Sequence, residues 1–184
     1  MEALRQDKKY TYEDYMSWSE DERWELIDGT AYMLAAPSIA HQRISSELHR
    51  QLANFLFGKP CEVFHAAITV RLNKDNDTAV EPDIVVICDK SKLSDGKACV
   101  GAPDMVVEIL SPSTASMDRL KKFNLYLQAG VREYWIVDPE TKMVNVHMLK
   151  DGGYMTTAYG NADTVPVHVL DGCTISLSDV FTAT

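Results

Sequence analysis

The stretch DMVVEILS, residues 104–111, has the composition of a buried β-strand, yet an acid, Glu108, lies within it. An ionised carboxylate in an apolar strand costs on the order of several kcal/mol unless a partner compensates its charge. The earlier run EPDIVVIC, residues 81–88, is apolar on both faces, which is typical of a strand inside a sheet. It also begins with an acid, because Asp83 directly follows Pro82. These two strands form the predicted centre of the fold and raise the question of what their acids do.

Helix and strand patterns around these two runs predict an α/β fold. Residues 38–59 carry an apolar stripe at helical spacing, and residues 62–72 alternate as a strand. Residues 113–130 predict a helix with a Ser or Thr cap and with Gly130 as its C-cap, and residues 132–140 predict another strand. The central order is helix, strand, strand, strand, helix, strand, which indicates a mixed sheet flanked by helices.

The two ends of the chain predict β-rich additions to this core. Thr11 can cap a first helix over residues 12–25, and Asp28-Gly29 is a favoured hairpin dipeptide. A second hairpin is predicted at residues 151–153, followed by a closing strand or short helix within residues 172–181.

Length and composition predict one domain over residues 1–184, with its core at about 40–140. The net charge of −9 argues against a broad basic face for nucleic acid, although it leaves room for a local positive cleft. No apolar run approaches a membrane span or the core of a signal peptide. The absence of a CxxC pair argues against zinc ribbons and redox motifs, and a reducing cytoplasm is expected. The cysteines are Cys61, Cys88, Cys99 and Cys173.

The two strand acids suggest a metal site. If the strands are neighbours, Asp83 and Glu108 converge at one edge of the sheet, where they raise each other's pKa unless a cation lies between them. Mg²⁺ or Mn²⁺ suits such a pair, because hard cations prefer carboxylate oxygens and retain waters. The alternative is that each acid makes a separate salt bridge or caps a turn.

The helix that follows offers a cation. Asp118, Lys122 and Tyr126 are spaced by four residues and share one helical face. Lys122 could lean over the sheet edge, orient an attacking water and offset charge on a phosphate. Alternatively, Asp118 and Lys122 form an ordinary surface pair worth about 0.3–0.5 kcal/mol. Lys121 is a competing candidate that helical spacing alone does not eliminate.

Several motifs in this order resemble one family. The segments EPDIVVI, GAPDMVVEILSPST and MDRLKKFNLYLQAGVREYWIVDPE are similar to the Uma2-like family, also called DUF820, of the PD-(D/E)XK restriction-endonuclease-like superfamily. YMSWSEDERWELIDG and IAHQRISSELHRQL resemble its N-terminal segments, so the likeness runs from about residue 11 to residue 148. It implies a restriction-endonuclease-like α-β-β-β-α-β core with a four-stranded mixed sheet. The hairpins at the N- and C-terminal ends would be additions to that core.

The resemblance also implies a Mg²⁺-dependent endonuclease that acts on DNA. Asp83 matches the aspartate of the PD element and Glu108 the acid of the (D/E)XK element, with the Ile109 carbonyl as a further metal ligand. Leu110 stands where the superfamily has its lysine. In this family the lysine lies on the next helix, and the Asp-to-Lys spacing selects Lys122 over Lys121.

Three upstream residues are weaker candidates. Glu47 lies where many such nucleases place an additional acid near the metal, or it is a solvated helix residue. Glu25 is similar to a family acid near the cleft, or it makes a local hydrogen bond. His41 is a site residue or, as we prefer, a helix cap.

Two other functions compete with the nuclease. One is a catalytically silent nuclease fold that serves as a nucleic-acid-binding or assembly module, which the acidic net charge favours. The other is a small-molecule hydrolase, which lacks a supporting nucleophile motif. A homodimer is expected for the nuclease, because two active sites most simply cut both strands of a duplex.

Overall fold

The computed structural model describes residues 8–19, 21–72, 76–111 and 117–182. The elements in chain order are α1 (Tyr12–Met16), β1 (Trp24–Ile27), β2 (Thr30–Met33), α2 (Ile39–Leu56), β3 (Glu62–His65), β4 (Thr69–Arg71), β5 (Ile84–Ile87), a 3-10 turn (Lys90–Leu93), β6 (Ala98–Val100), β7 (Met105–Ile109), a π-helical segment (Met117–Lys122), α3 (Phe123–Ala129), β8 (Glu133–Asp138), β9 (Met143–Lys150), β10 (Gly153–Gly160), β11 (Thr164–Pro166), β12 (Thr174–Ser176) and α4 (Leu177–Thr182). The predicted Ser or Thr cap before the π-helical segment lies outside the described residues.

The described strands include a mixed sheet in the order β10-β9-β8-β7-β5-β3. Strands β7 and β8 run parallel, and the other neighbours in this sheet run antiparallel. The predicted four-stranded core is present as β3, β5, β7 and β8. The C-terminal hairpin, β9 and β10, continues the same sheet, because β8 is buried along most of its length and needs a neighbour on each side.

The two central strands are buried on both faces, as their continuous apolar sequences predict. On one face, Val107 belongs to the core that α2 covers. On the other face, Val106 and Leu110 pack in the core that includes Tyr126. Because strand residues alternate between faces, Glu108 shares the side of Val106 and Leu110, as expected.

The predicted helix over residues 12–25 and the predicted strand over residues 62–72 are both shorter than their patterns indicate. Helix α1 ends at Met16, and the chain is already in β1 from Trp24. Trp18 packs against the ring of Trp24 within an aromatic cluster that fixes this reversal. The strand at 62–72 is divided into β3 and β4, and β4 pairs with β6 outside the main sheet. Residues 62–65 pair with β5, whereas residues 69–71 pair with β6, so one alternating stretch of sequence serves two different partner strands.

Cys61 and Cys88 form a disulfide with Cα atoms 4.0 Å apart. From the sequence we expected a reducing cytoplasm, and the separation of 27 residues gave no sign of this bond. It follows from the sheet: Glu62 lies opposite Ile87, so the residues just beyond this pair also face each other. None of the helices in the described ranges is long and apolar enough to span a membrane.

Candidate active site

The β5–β7 ladder brings the two strand acids together. Ile84 lies opposite Val107, so Asp83 and Glu108 occupy the next facing positions. Asp83 Oδ2 accepts a hydrogen bond of 2.7 Å from the N–H of Ile109. The expected convergence of the two acids at one edge is therefore confirmed in the geometry.

Lys122 reaches the strand acid from the next helix. Its Nζ lies 2.9 Å from Glu108 Oε1, 2.8 Å from Glu25 Oε1 and 3.5 Å from Asp118 Oδ1. The lysine side chain is only 4% exposed. Lys121 instead donates to the hydroxyl of Tyr32 on the hairpin. The predicted choice of Lys122 over Lys121 agrees with this arrangement.

Two tyrosines hold the acids from behind. Tyr126, which is fully buried, donates a hydrogen bond of 2.6 Å to Glu108 Oε1. Tyr134 donates to the main-chain carbonyl of Asp118 at 2.9 Å. Tyr126 thus joins the row of Asp118 and Lys122 that helical spacing predicts, and it fixes one oxygen of Glu108.

Glu25 connects the N-terminal hairpin to the site. Its side chain is fully buried in β1, where Oε1 contacts Lys122 and also accepts a hydrogen bond of 2.9 Å from the N–H of Glu81. Glu81 lies two residues before Asp83, so Glu25 ties the lysine to the segment that carries the first acid. The contact with Lys122 agrees with the expected position near the cleft, whereas the hydrogen bond to Glu81 joins distant segments and is not the local bond of the alternative.

His41 and Glu47 have different positions from those we favoured. The cap of α2 is Ser38, whose Oγ accepts from the N–H of His41, so the preferred cap role of His41 is wrong. Instead His41 Nε2 lies 3.2 Å from Asp83 Oδ2. Glu47 accepts hydrogen bonds from Arg50 and from a glutamine of the same helix. Glu47 lies more than one helical turn after His41 in α2. Its contacts agree with the alternative prediction that it is a solvated residue on the helix surface.

In this cluster several carboxylates surround one lysine, and their charges and their burial shift the pKa values of the groups involved. Burial alone would lower the pKa of Lys122, but the neighbouring carboxylates outweigh it and raise that pKa well above its usual value. Burial raises the pKa of Glu108 well above normal, and the other acids add to this against the opposing charge of Lys122. Burial also lowers the pKa of His41, but hydrogen bonding and charge from Asp83 raise it overall.

A cleft of about 540 Å³ opens onto these groups. The candidates that line it are His41, Asp83, Glu108, Ile109, Asp118 and Lys122. Five further charged residues, none of them a candidate from the sequence, also line it: Arg23, Glu81, Arg119, Asp138 and Glu140. Arg23 and Arg119 lie within recognised motifs, but a single arginine in a sequence does not reveal which side chains surround it.

The cluster suits a hard cation better than a soft one. Among the described residues, no three or more His, Cys, Asp or Glu side chains form a complete ligand set. Two carboxylates and a carbonyl are nevertheless compatible with Mg²⁺, which keeps several waters. In the described part of the chain, Glu25 Oε2 is buried without a hydrogen-bond donor. Although its other oxygen pairs with Lys122, this buried acceptor atom supports the fit of a divalent cation nearby.

Comparisons with known proteins give one family and one fold. A family model described as "Uma2: Putative restriction endonuclease" matches residues 12–178. An uncharacterized protein of Synechocystis sp. is 31% identical over 84% of this chain and 83% of its own length, and a second is 27% identical over 75% and 80%. A crystal structure of a protein from Anabaena variabilis, described as "a putative nuclease belonging to DUF820", matches with a TM-score of 0.78 and 22% identity. That match covers 94% of this chain and 98% of the other.

Proposed function

Because the chain belongs to the Uma2 family, whose model is described as "Putative restriction endonuclease", we propose that it is a metal-dependent nuclease that hydrolyses phosphodiester bonds in DNA. Family and fold indicate a restriction-endonuclease-like nuclease. The observation that carries the finer proposal is the contact of 2.9 Å between Lys122 Nζ and Glu108 Oε1. It supports a lysine supplied by the following helix in place of the one that Leu110 replaces.

In this proposal Asp83, Glu108 and the main-chain carbonyl of Ile109 would hold Mg²⁺ or Mn²⁺. Such an ion, when bound, lowers the pKa of water and offsets charge on the phosphate. Among contacts of the described residues, both hydrogen-bond donors to Glu108 fall on Oε1. The other carboxylate oxygen is therefore the one available for a ligand on the cleft side.

Lys122 positions the attacking water and stabilises charge that develops on the phosphate. An ammonium group has three N–H donors, and two of them are used at 2.8 and 2.9 Å on Glu25 and Glu108. The contact with Asp118, at 3.5 Å, is long for a hydrogen bond and leaves the third donor for water or phosphate. A preorganised donor of this kind contributes about 10²- to 10³-fold to rate.

His41 and Tyr126 orient the two acids. Tyr126 fixes Oε1 of Glu108 from behind, which directs the remaining oxygen of the carboxylate. His41 approaches Asp83 from the first turn of α2, and although burial lowers its pKa, hydrogen bonding and charge from Asp83 raise that pKa overall. Both therefore act through the acids, as positioning residues.

Cleavage assays on purified protein test the proposal. Supercoiled, linear and single-stranded DNA and RNA are incubated with Mg²⁺ or Mn²⁺, alongside Asp83→Asn and Glu108→Gln. We expect metal-dependent cleavage of DNA by the wild type and its loss in both variants, because a neutral amide is a poor ligand for a hard cation. The asparagine can still accept from the N–H of Ile109, so the variants are expected to fold.

Glu47→Gln is the matched control, because it also removes one acid but lies at Arg50, on the surface of α2. It should cleave at the wild-type rate. Cleavage by folded Asp83→Asn at the wild-type rate would exclude the assigned site. Absence of both cleavage and Mg²⁺ binding by calorimetry in the wild type would favour the silent binding or assembly module instead.

The proposal includes a homodimer for the cleavage of duplex DNA. Its support is that Asp83, Glu108 and Lys122 form one candidate site per chain, and one site acts on one strand at a time. Light scattering coupled to size-exclusion chromatography, with and without duplex DNA, measures the mass directly. A monomer under both conditions that still makes double-strand breaks would contradict this part.

A further inference from the structure

Two arginines line the cleft that contains the acid and lysine cluster. Arg23 lies just before β1, and Arg119 lies in the π-helical segment, three residues before Lys122. Their side chains are 38% and 45% exposed, whereas Lys122 is nearly buried. These arginines are therefore positive groups of the cleft that a polyanion can reach from solvent.

Each arginine is tethered by a carboxylate that is less exposed than itself. Arg23 Nε lies 2.9 Å from Glu81 Oε2, and the glutamate side chain is 10% exposed. Arg119 Nη2 lies 2.9 Å from Asp138 Oδ2, and the aspartate side chain is 15% exposed. Because a tether reduces the entropy lost when a long side chain binds a ligand, both guanidinium groups are preorganised.

The tethers use only part of each guanidinium group. A guanidinium has five N–H donors in a planar fork, which matches phosphate oxygens two at a time. Within the described residues, Arg23 bonds through Nε and Arg119 through Nη2. Among the described residues, no hydrogen bond uses the N–H groups on Nη1 and Nη2 of Arg23 or on Nε and Nη1 of Arg119. These N–H groups are available to a phosphate. Arg50 differs, since it closes its fork on Glu47 through both Nε and Nη2.

The sheet places the two tethers on either side of the catalytic acid. Glu81 lies just before β5, and Asp138 is the last residue of β8. Strand β7, which carries Glu108, runs between β5 and β8. Neighbouring strands are about 4.8 Å apart, so the two anchor strands flank the acid by about that distance each. A phosphodiester chain that crosses the cleft at Glu108 would meet one arginine before and one after the reacting phosphate.

The overall charge makes such contacts necessary. The chain carries a net charge of −9, and the floor of the cleft is rich in carboxylates. Nucleic-acid affinity depends on neutralising phosphates with cationic side chains, which releases bound counterions. Lys122 is nearly buried and uses two of its three N–H donors on Glu25 and Glu108, so the exposed arginines of the cleft supply most of the attraction.

We propose that Arg23 and Arg119 form a phosphate clamp that binds the sugar-phosphate backbone on both sides of the bond to be cleaved. This inference rests on the proposed nuclease function, since it names the residues that hold the same substrate. It assigns them to binding through the backbone, without base recognition. The clamp therefore predicts affinity that depends on salt and not on sequence.

Binding measured against salt concentration tests the clamp. Fluorescence anisotropy of a labelled single strand, and of the duplex of the same sequence, is recorded without divalent metal so that the probe remains intact. We expect Arg23→Ala and Arg119→Ala each to weaken affinity about five- to eightfold at 0.1 M salt. Each should also reduce the slope of log K against log salt by about 0.7 on single strands and 0.9 on duplex. In cleavage assays the same variants should raise KM more than they lower kcat.

Arg132→Ala is the matched control. Arg132 also pairs with its acid through one nitrogen, since Nη1 lies 2.9 Å from Asp104 Oδ1. Its side chain is 58% exposed, but it does not line the cleft. Arg132→Ala changes the net charge by the same amount as the clamp variants. Because Arg132 lies outside the cleft, this variant should leave both DNA affinity and the salt slope unchanged. Misfolding is not expected in the clamp variants, because Glu81 still accepts from Tyr15 and Asp138 still accepts main-chain N–H groups.

A second variant separates direct contact from a general charge effect. Asp138→Asn removes the tether charge while its Oδ1 can still accept from the turn that follows β8. If the tether preorganises Arg119 for phosphate, this variant should bind DNA more weakly than the wild type with an unchanged slope, whereas a general charge effect predicts tighter binding. Equal losses in Arg119→Ala and Arg132→Ala would overturn the clamp, as would wild-type slopes in both clamp variants.

The outcomes also separate the clamp from the proposed function. A wild type that cleaves DNA while both clamp variants bind normally leaves the nuclease intact and removes the clamp. A wild type that binds DNA through these arginines but cleaves nothing retains the clamp and removes the nuclease. A wild type that neither binds nor cleaves removes both.

Discussion

The ammonium group of Lys122 lies between three carboxylates in a site that is almost closed to solvent. Desolvating such a charge costs several kcal/mol, and the surrounding acids offset that cost only while the lysine is present. The raised pKa keeps the group protonated across the physiological range. Removing it leaves buried acids without a partner, and this predicts a large effect on stability as well as on chemistry.

Lys122→Met should lower the free energy of unfolding by about 3 kcal/mol at neutral pH, because it leaves Glu25 and Glu108 without their cation. Chemical denaturation measures this directly. The cost should be smaller at pH 5, because the raised pKa of Glu108 lets this carboxyl take up a proton more readily as the pH falls. Lys121→Met, one position away and exposed, should change stability by no more than about 0.5 kcal/mol. Equal effects of the two substitutions would contradict the arrangement.

A substitution at Glu25 can remove the charge of its side chain while keeping nearly the same shape. Glu25→Gln keeps an acceptor for the N–H of Glu81 but removes the charge opposite Lys122. We expect kcat to fall at least tenfold while KM changes little, because the lysine loses its fixed position but the substrate contacts remain. Restored kcat in Glu25→Asp would support a positioning role. Unchanged kcat in folded Glu25→Gln would exclude it.

At the scale of elements, the N-terminal hairpin is a structural part of the site. Its turn is Asp28-Gly29, with φ values of 50° and 71°. Both lie in the left-handed region that two-residue hairpin turns require. The turn sets the register of β1 against β2, and the register decides that Glu25 faces inward to the lysine. A change at the turn therefore reaches the site through β1.

Gly29→Ala and Gly130→Ala test this connection. Both glycines have positive φ, which costs an alanine about 1 kcal/mol. A Cβ at Gly130 meets nothing within 4 Å, whereas one at Gly29 lies 3.3 Å from the main-chain oxygen of Tyr10. We expect Gly29→Ala to be the more destabilising by denaturation and to lower cleavage more. Equal stability losses would show that the hairpin accommodates the extra atom.

At the scale of the whole molecule, the sheet joins the site to a buried histidine in the C-terminal hairpin. His147 of β9 packs against Phe123, Tyr134 and Tyr154, and its Nδ1 lies 2.7 Å from Thr156 Oγ1. Burial lowers the pKa of His147 to about 4. In the unfolded chain a histidine titrates near 6.5. The unfolded state thus binds more protons between these values, and stability falls as the pH drops from 6.5 towards 4.

The His147→Phe variant should lose this pH dependence. Between pH 7 and pH 5, the free energy of unfolding of the wild type should fall by about 2 kcal/mol more than that of the variant. Denaturant titrations at the two pH values measure the difference, and the exposed Thr156 can hydrogen bond water instead. Parallel pH profiles for the two proteins would show that His147 titrates normally.

Much of the fold could be predicted from periodicity. The two continuous apolar runs become β5 and β7, and the stripe of the amphipathic segment becomes the buried face of α2, because burial of apolar surface dominates the stability of these elements. Shorter elements were less predictable. The end of helix α1 depends on an aromatic cluster, and the split between β3 and β4 depends on the pairing of β4 with β6. Both effects involve residues that are distant in the sequence.

The sequence by itself determined the core order, the strand acids Asp83 and Glu108, and, through family resemblance, Lys122. Periodicity and motif spacing are properties of neighbouring residues, so they survive in a linear chain. Only the tertiary structure decided that His41 approaches Asp83 while Glu47 does not, although both lie on one helix. It also brought together Cys61 with Cys88 and each cleft arginine with its acid. These relations join residues far apart in the chain, and their distances are set by sheet register and by helix packing against the sheet.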